Sequence, residues 1–496
     1  GALDVGNSTH GVWITDSPSN SVLSNVISGN NNGIRIYNVS ATGNIVQGNR
    51  IGTTAAGNVA LPNSGAGIFV RGGASNNTIG GALASERNII SGNTLEGVRI
   101  DGPTTTGNTV RGNYIGTDST GALDIGNATH GVWITDSPSN SLLSNVMSGN
   151  DNNGIRIFNV NATGNTVQGN MIGTTAPGNV ALPNAGAGVF IRGGATNNTI
   201  GGTLASERNI ISGNAAEGVR IEDLATAANT IQSNYIGTDS TGALDLGNTS
   251  YGVWINNSPG NDVLSNVISG NNSNGVRISG PNSTSNDVFS NRIGTNDAET
   301  SAVANTRSGI RVDGGASNIR IGETEGSGNT ISGNTLHGVL IADAATFGIT
   351  LKANRIGATR IGLPSIPNGA AGVRIEQASS VTVGTGTLGG RNVISGNTTI
   401  GLIISGSLAS NNLLMGNHIG TDFPGTSAIP NGTHGVVIDG APNNQIGSTS
   451  GQKNVISGNN IDGIRIQNVG ADGNTIVGNL IGTNAPSASP LPNLGS

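Results

Sequence analysis

A glycine followed by an apolar–any–apolar triplet opens a unit sixteen times along the chain, from "GVWI" at Gly11 to "GIRI" at Gly463. Each unit then carries Asn, any residue and Ile, beginning at Asn25, Asn49, Asn88, Asn113, Asn145 and Asn170 and ending at Asn479; Met147 is the one replacement of that Ile. Self-similarity at this scale marks a stacked repeat, in which no unit buries its apolar face alone and neighbours complete it. The spacing between opening glycines runs from 22 residues (Gly11 to Gly33) to 34 (Gly33 to Gly67) while both signatures persist. Variation is therefore confined to loops.

Longer periods lie over the short one. "GALDVGNSTHGVWITDSPSNS" at Gly1 returns in variant form at Gly121 and Gly242, and the tag "IGT" or its equivalent recurs about 61 residues apart from Ile51 to Ile481. Asp4, Asp124 and Asp245 are equivalents in this scheme, as are Glu96 and Glu217, and His10, His130, His337 and His434 share the slot before a first strand. In the shortest unit "VWI", "SVL" and "NVI" are triplets separated by "DSPSN" and "SN", too short and too rich in turn formers for a helix. Three short strands per turn predict an all-β fold, a right-handed parallel β-helix solenoid of about 16 coils. It is expected as a single domain over residues 1–496, uncapped at both ends. Side chains alternate along a strand, so Val12 and Ile14 point inward and Trp13 outward, and coils stack at about 4.8 Å.

Composition narrows the function classes. With 34% apolar residues at regular intervals the chain is not a disordered linker, and the absence of cysteine excludes disulfides and thiolate metal sites. Basic residues number 22 against 28 acidic ones, and only Lys352 and Lys453 are lysines, which argues against nucleic acid as a partner. No apolar run is long enough to span a membrane as a helix.

The stretches "RNIISGN", "GNYIGTDSTGALDIGN" and "NNTIGG" resemble the right-handed parallel β-helix repeat proteins of bacterial cell surfaces and secretions, within the pectate-lyase-like superfamily. The resemblance covers essentially the whole chain. It implies the fold and an extracellular or cell-surface location in a bacterium, and it leaves function open between polysaccharide lyases, adhesins and passive stalks. No "DPHD", "RIK" or "GHG" stretch is present, so no catalytic residue is carried over.

Three sets of residues are candidates for a role. The Asn column is expected as a structural ladder, each amide bonding the next coil. The outward position of the first strand gives Trp13, Arg35, Phe69, Arg99, Trp133, Arg156, Phe190, Arg220 and Trp254, a stripe that either packs on itself to stiffen one face or makes surface contact with a glycan or a neighbouring molecule. Most ionisable residues are copied with the repeat and so serve it. The clearest break holds Asp297, Glu299, Glu323 and Glu325, a solvated acidic loop or a calcium site; no other cofactor is expected. The copied residues and the missing caps favour a non-catalytic extracellular structural or adhesive rod, associating with itself end to end or laterally. The alternative is a carbohydrate-binding or polysaccharide-degrading β-helix protein.

Overall fold

The computed structural model describes residues 6–360 and 365–495, and Asp4 lies outside them. Strands β1 (His10–Thr15), β2 (Ser21–Leu23) and β3 (Val26–Ile27) form the first coil. The same three-strand coil is made sixteen times, the last from Ile464–Gln467, Thr475–Val477 and Leu480–Ile481. By its contacts the chain divides into two compact units, Gly1–Ser240 with Leu246–Ser250, and Thr241–Asp245 with Tyr251–Ser496. The first contains coils 1 to 8 and the second coils 9 to 16. Within each unit, strands of like position pair in parallel from coil to coil, giving three sheets of a right-handed parallel β-helix.

Register explains why the sequence pattern is so strict. Val12 pairs with Ile34, Trp13 with Arg35 and Ile14 with Ile36, so like residues stand above one another. The inward residues form aliphatic columns with no exposure, among them Ile34, Ile68, Val98 and Val132. Each such side chain contributes about 1.5–3 kcal/mol through burial. The opening glycine is a steric requirement: a Cβ on Gly97 would lie 2.6 Å from Ile115 Cγ2 and 2.8 Å from the Gly131 carbonyl oxygen.

Asparagine ladders run along all three corners of the coil, two more than the Asn-any-Ile column indicates. At the corner before the third strand, Asn49 Nδ2 donates to Asn88 Oδ1 at 3.0 Å and to the Val22 carbonyl at 2.9 Å, while its Oδ1 accepts from the Asn25 amide at 2.9 Å. Before the second strand, Asn44 bonds Asn77 and Asn77 bonds Asn108; after the third, Asn63 bonds Asn93 and Asn93 bonds Asn127. Buried turns must satisfy their backbone groups, and one short amide does so without leaving its own atoms unpaired. In coils 11 to 13 the second corner abandons this solution: Ile319, Ile349 and Val381 stand where Asn stood, fully buried.

Every second coil carries a longer loop after its third strand, and these loops bond to one another across two coils. The Ser119 amide donates to the Gly57 carbonyl at 2.8 Å, Ala176 to Gly121 at 2.9 Å, and in the second unit Asp297 to Gly242 at 3.0 Å. The acceptor glycines have positive φ, such as +69° at Gly57 and +71° at Gly121.

Candidate functional site: an arginine–aromatic stripe

On the outer face of the first sheet the register places the alternating residues in one line. In the first unit Arg35 stands between Trp13 and Phe69, Arg99 between Phe69 and Trp133, and Arg156 between Trp133 and Phe190, with Arg220 next. Each guanidinium lies against a ring: Arg99 is 5.0 Å from the Phe69 centroid and 4.4 Å from Trp133, and Arg220 is 4.9 Å from Phe190. Contacts of this kind are worth about 0.5–1 kcal/mol where exposed. They hold long side chains in fixed rotamers before any ligand arrives.

Two flanking columns, neither of them joined to the stripe from sequence although the repeated histidine slot of one was noted, turn the line into a belt. Two residues later along the strand come Tyr37, Arg71, Asp101 and Phe158, and three residues earlier come His10, Asn32, Glu96 and His130. Arg35 therefore lies 4.7 Å from the Tyr37 ring as well as 5.5 Å from Trp13, and Arg156 lies 4.6 Å from Phe158 and 5.2 Å from Trp133. His10 and His130 pack edge-on against Trp13 and Trp133, with centroids 5.5 and 5.8 Å away. Strand alternation was the available signal for the later column, since same-face neighbours on a strand are two residues apart.

Charge is distributed unevenly along the belt. Arg99 pairs with Asp101 at 3.5 Å and Arg220 with Glu222 at 2.6 Å. Arg35, Arg71 and Arg156 form no ion pair with a carboxylate among the described residues. Burial, followed by the Arg156 charge, pushes the His130 pKa down to about 4, so its ring is neutral near pH 7. Its Nδ1 is 3.3 Å from the Asn153 amide nitrogen and its Nε2 is 3.4 Å from Arg156 Nη1. A neutral imidazole has one acceptor nitrogen, so only one of these contacts is a hydrogen bond.

In the second unit the alternation ends. Trp254 is followed by Arg277 and then Arg311 on adjacent strands, guanidinium beside guanidinium. Further along, Leu340, Ile403 and Val437 occupy the outward position and are buried.

The four acids are taken up by different cations, although Glu299 and Glu325 both act on Arg355. Asp297 and Glu299 both face Arg292, at 3.4 and 3.2 Å, and the buried Glu299 carboxylate also accepts the Arg360 amide at 2.8 Å. Glu323 pairs with Arg320 at 3.3 Å and with Lys352 at 3.4 Å, while the charge of Glu325 acts on Arg355 and Arg391. Among the described residues no three His, Cys, Asp or Glu side chains are arranged to hold a metal ion.

No protein-family model matches the chain, and no curated relative matches it in sequence. Solved structures of similar architecture include the periplasmic alginate epimerase AlgG, at 11% identity over 95% of this chain and 78% of that one, with a TM-score of 0.32. The A-module of the Azotobacter vinelandii mannuronan C-5 epimerase AlgE6 matches at 13% identity over 89% of this chain and 90% of that one, with a TM-score of 0.34. The enzymatically active domain of bacteriophage CBA120 tailspike protein 2 matches at 8% identity over 66% and 47%, with a TM-score of 0.37. The likeness is one of fold. The solved structures bearing it are an alginate epimerase, a mannuronan C-5 epimerase and an enzymatically active tailspike domain, and beside them the expectation of a non-catalytic structural rod is corrected and set aside. Copied residues do not separate a passive shaft from a glycan-handling surface, because a repeating ligand is served by a repeating site. Among the described residues, no helix is long and apolar enough to cross a membrane.

Proposed function

We propose that the chain is a carbohydrate-binding β-helix protein of extracellular or cell-surface location, and that the stripe of its first unit takes an extended acidic polysaccharide along the coil axis. The observation that supports this reading is the strict alternation of ring and guanidinium, with Arg35, Arg71 and Arg156 unpaired by carboxylates. The ring faces lie against arginines, so what the belt offers to solvent is ring edges and guanidinium N–H groups. Ring edges carry partial positive charge and guanidinium N–H groups are donors, so the belt suits a ligand rich in oxygen acceptors and negative charge. Rings recur every second coil, about 9.6 Å apart, matching a chain whose own repeat is two sugar residues. Because the arginines are already stacked, little rotamer entropy is lost on binding.

Affinity electrophoresis in gels containing polygalacturonate, alginate or a neutral glucan tests the proposal, with the same incubations followed for release of reducing or unsaturated ends. Retardation by the acidic polymers, lost in the Trp13→Ala, Trp133→Ala double variant, is expected. Equal mobility in every gel would remove it.

A further inference from the structure

Where the stripe gives way to Arg277 and Arg311, a cavity of about 270 Å³ opens on the same sheet face, lined by Tyr251, Ser273, Asn274, Arg277, Arg307 and Arg311. Adjacent guanidiniums repel, and here they are reconciled by one buried carboxylate. Asp313 Oδ1 accepts from Arg277 Nε at 3.2 Å, its Oδ2 accepts from Arg277 Nη2 at 3.1 Å, and Arg311 Nε bonds the same Oδ2. Arg307 rises from the long loop, exposed and without a carboxylate partner among the described residues. Three arginines thus stand against one hydrogen-bonded carboxylate, with the charge of Glu376 also acting on Arg311, and none of the lining side chains is acidic.

The donor geometry is equally one-sided. Arg277 Nη1 donates to the Tyr251 hydroxyl at 2.7 Å, so the hydroxyl oxygen is an acceptor there and its proton is available to another partner. Asn274 has its Oδ1 engaged by the Ser308 amide at 3.0 Å, which fixes the orientation of the carboxamide. The terminal nitrogens of Arg311, the Arg307 guanidinium and the Tyr251 and Ser273 hydroxyls remain, from one strand and three loops. A planar carboxylate is satisfied by one arginine in its plane, whereas donors arriving from several directions suit a group with three free oxygens.

The geometry points to a site for a tetrahedral oxyanion, carried on a glycan as a sulfate or phosphate ester. The carrier rests on the carbohydrate-binding reading above; the oxyanion site does not. Isothermal titration of the full chain with inorganic sulfate tests the site directly, and titrations with a sulfated galactan and with a phosphomannan distinguish the two esters. One sulfate per chain is expected, weakened about tenfold by Arg311→Gln and severalfold by the exposed Arg307→Gln, and unchanged by Trp13→Ala with Trp133→Ala. Acetate binding as tightly as sulfate, or sulfate affinity unaltered in both arginine variants, would overturn the proposal. Sulfate binding without retention of any polysaccharide would leave the site standing and defeat the glycan reading.

Discussion

The carboxylate of Glu299 accepts the backbone amide of Arg360 at 2.8 Å, in a place where equivalent loops pass that bond to the carbonyl oxygen of a glycine. Glu299 has φ of +56°, the conformation adopted by Gly57, Gly121, Gly178 and Gly242 at the same loop position. A non-glycine residue is held there at a conformational cost of about 1 kcal/mol or more, offset by the Arg292 pair and the amide bond. Glu299→Ala is expected to lower stability by about 2 kcal/mol, since it keeps the strained backbone, strands the Arg360 amide and leaves Arg292 with Asp297 alone. Glu299→Gly relieves the strain and is expected to cost less. Denaturant unfolding of the two variants measures the difference, and equal losses would show that the backbone carries no strain.

The interrupted second-corner ladder makes a contrasting prediction. An asparagine placed singly at Ile349 would face Ile319 and Val381, with no amide above or below. Ile349→Asn should cost about 2–4 kcal/mol, through lost burial and an unsatisfied amide. The triple replacement of Ile319, Ile349 and Val381 by Asn should recover part of that loss, because the ladder from Asn286 would then run through to Asn412. Thermal melts of the single and triple variants decide; a triple variant less stable than the single one would show that the amides do not act together.

Three histidines set the response to acid. Burial comes first among the causes that push His130, His337 and His418 from the ordinary 6.5 down to about 4. Between those values the unfolded chain binds protons that the folded chain refuses. Stability is therefore level above pH 6.5 and falls as pH drops towards 4, by roughly 2–3 kcal/mol for each of the well-buried His130 and His418. His418→Gln should shallow the slope in that window while changing little at pH 8, as followed by the midpoint of urea unfolding at each pH.

Salt separates the two roles of the stripe. Replacing Arg35 and Arg156 with Gln keeps most of the stacking surface and removes two of the three charges that lack carboxylates. Retardation by an acidic polysaccharide should weaken about tenfold at low salt, with the difference from the native chain shrinking towards 1 M salt, where the Debye length falls to about 3 Å. Equal weakening at all salt concentrations would assign the effect to packing.

The β-helix was legible because its determinants are local and repeated: glycine where a Cβ would strike the next coil, aliphatics inward, asparagine at a corner. Two corners escaped notice, since Asn44 and Asn63 lie in turns whose lengths vary and whose letters change around them. The line from Trp13 to Trp254 was readable from alternation alone, yet its character was not. Whether Arg99 is spent on Asp101 while Arg156 is free depends on side chains from three columns and two coils. The Asp313 bridge was likewise invisible, because nothing in the spacing of Arg277 and Arg311 says that one carboxylate serves both.

Long loops sit on even coils and, through coil 10, aromatic rungs sit on odd ones. This gives the molecule a parity. Loss of one coil would bring ring onto ring or guanidinium onto guanidinium, and would offset each loop from the glycine carbonyl that receives its amide. Growth or loss by even steps preserves both alternations, and the near-identical block from Gly121, four coils after its counterpart at Gly1, is a step of that kind.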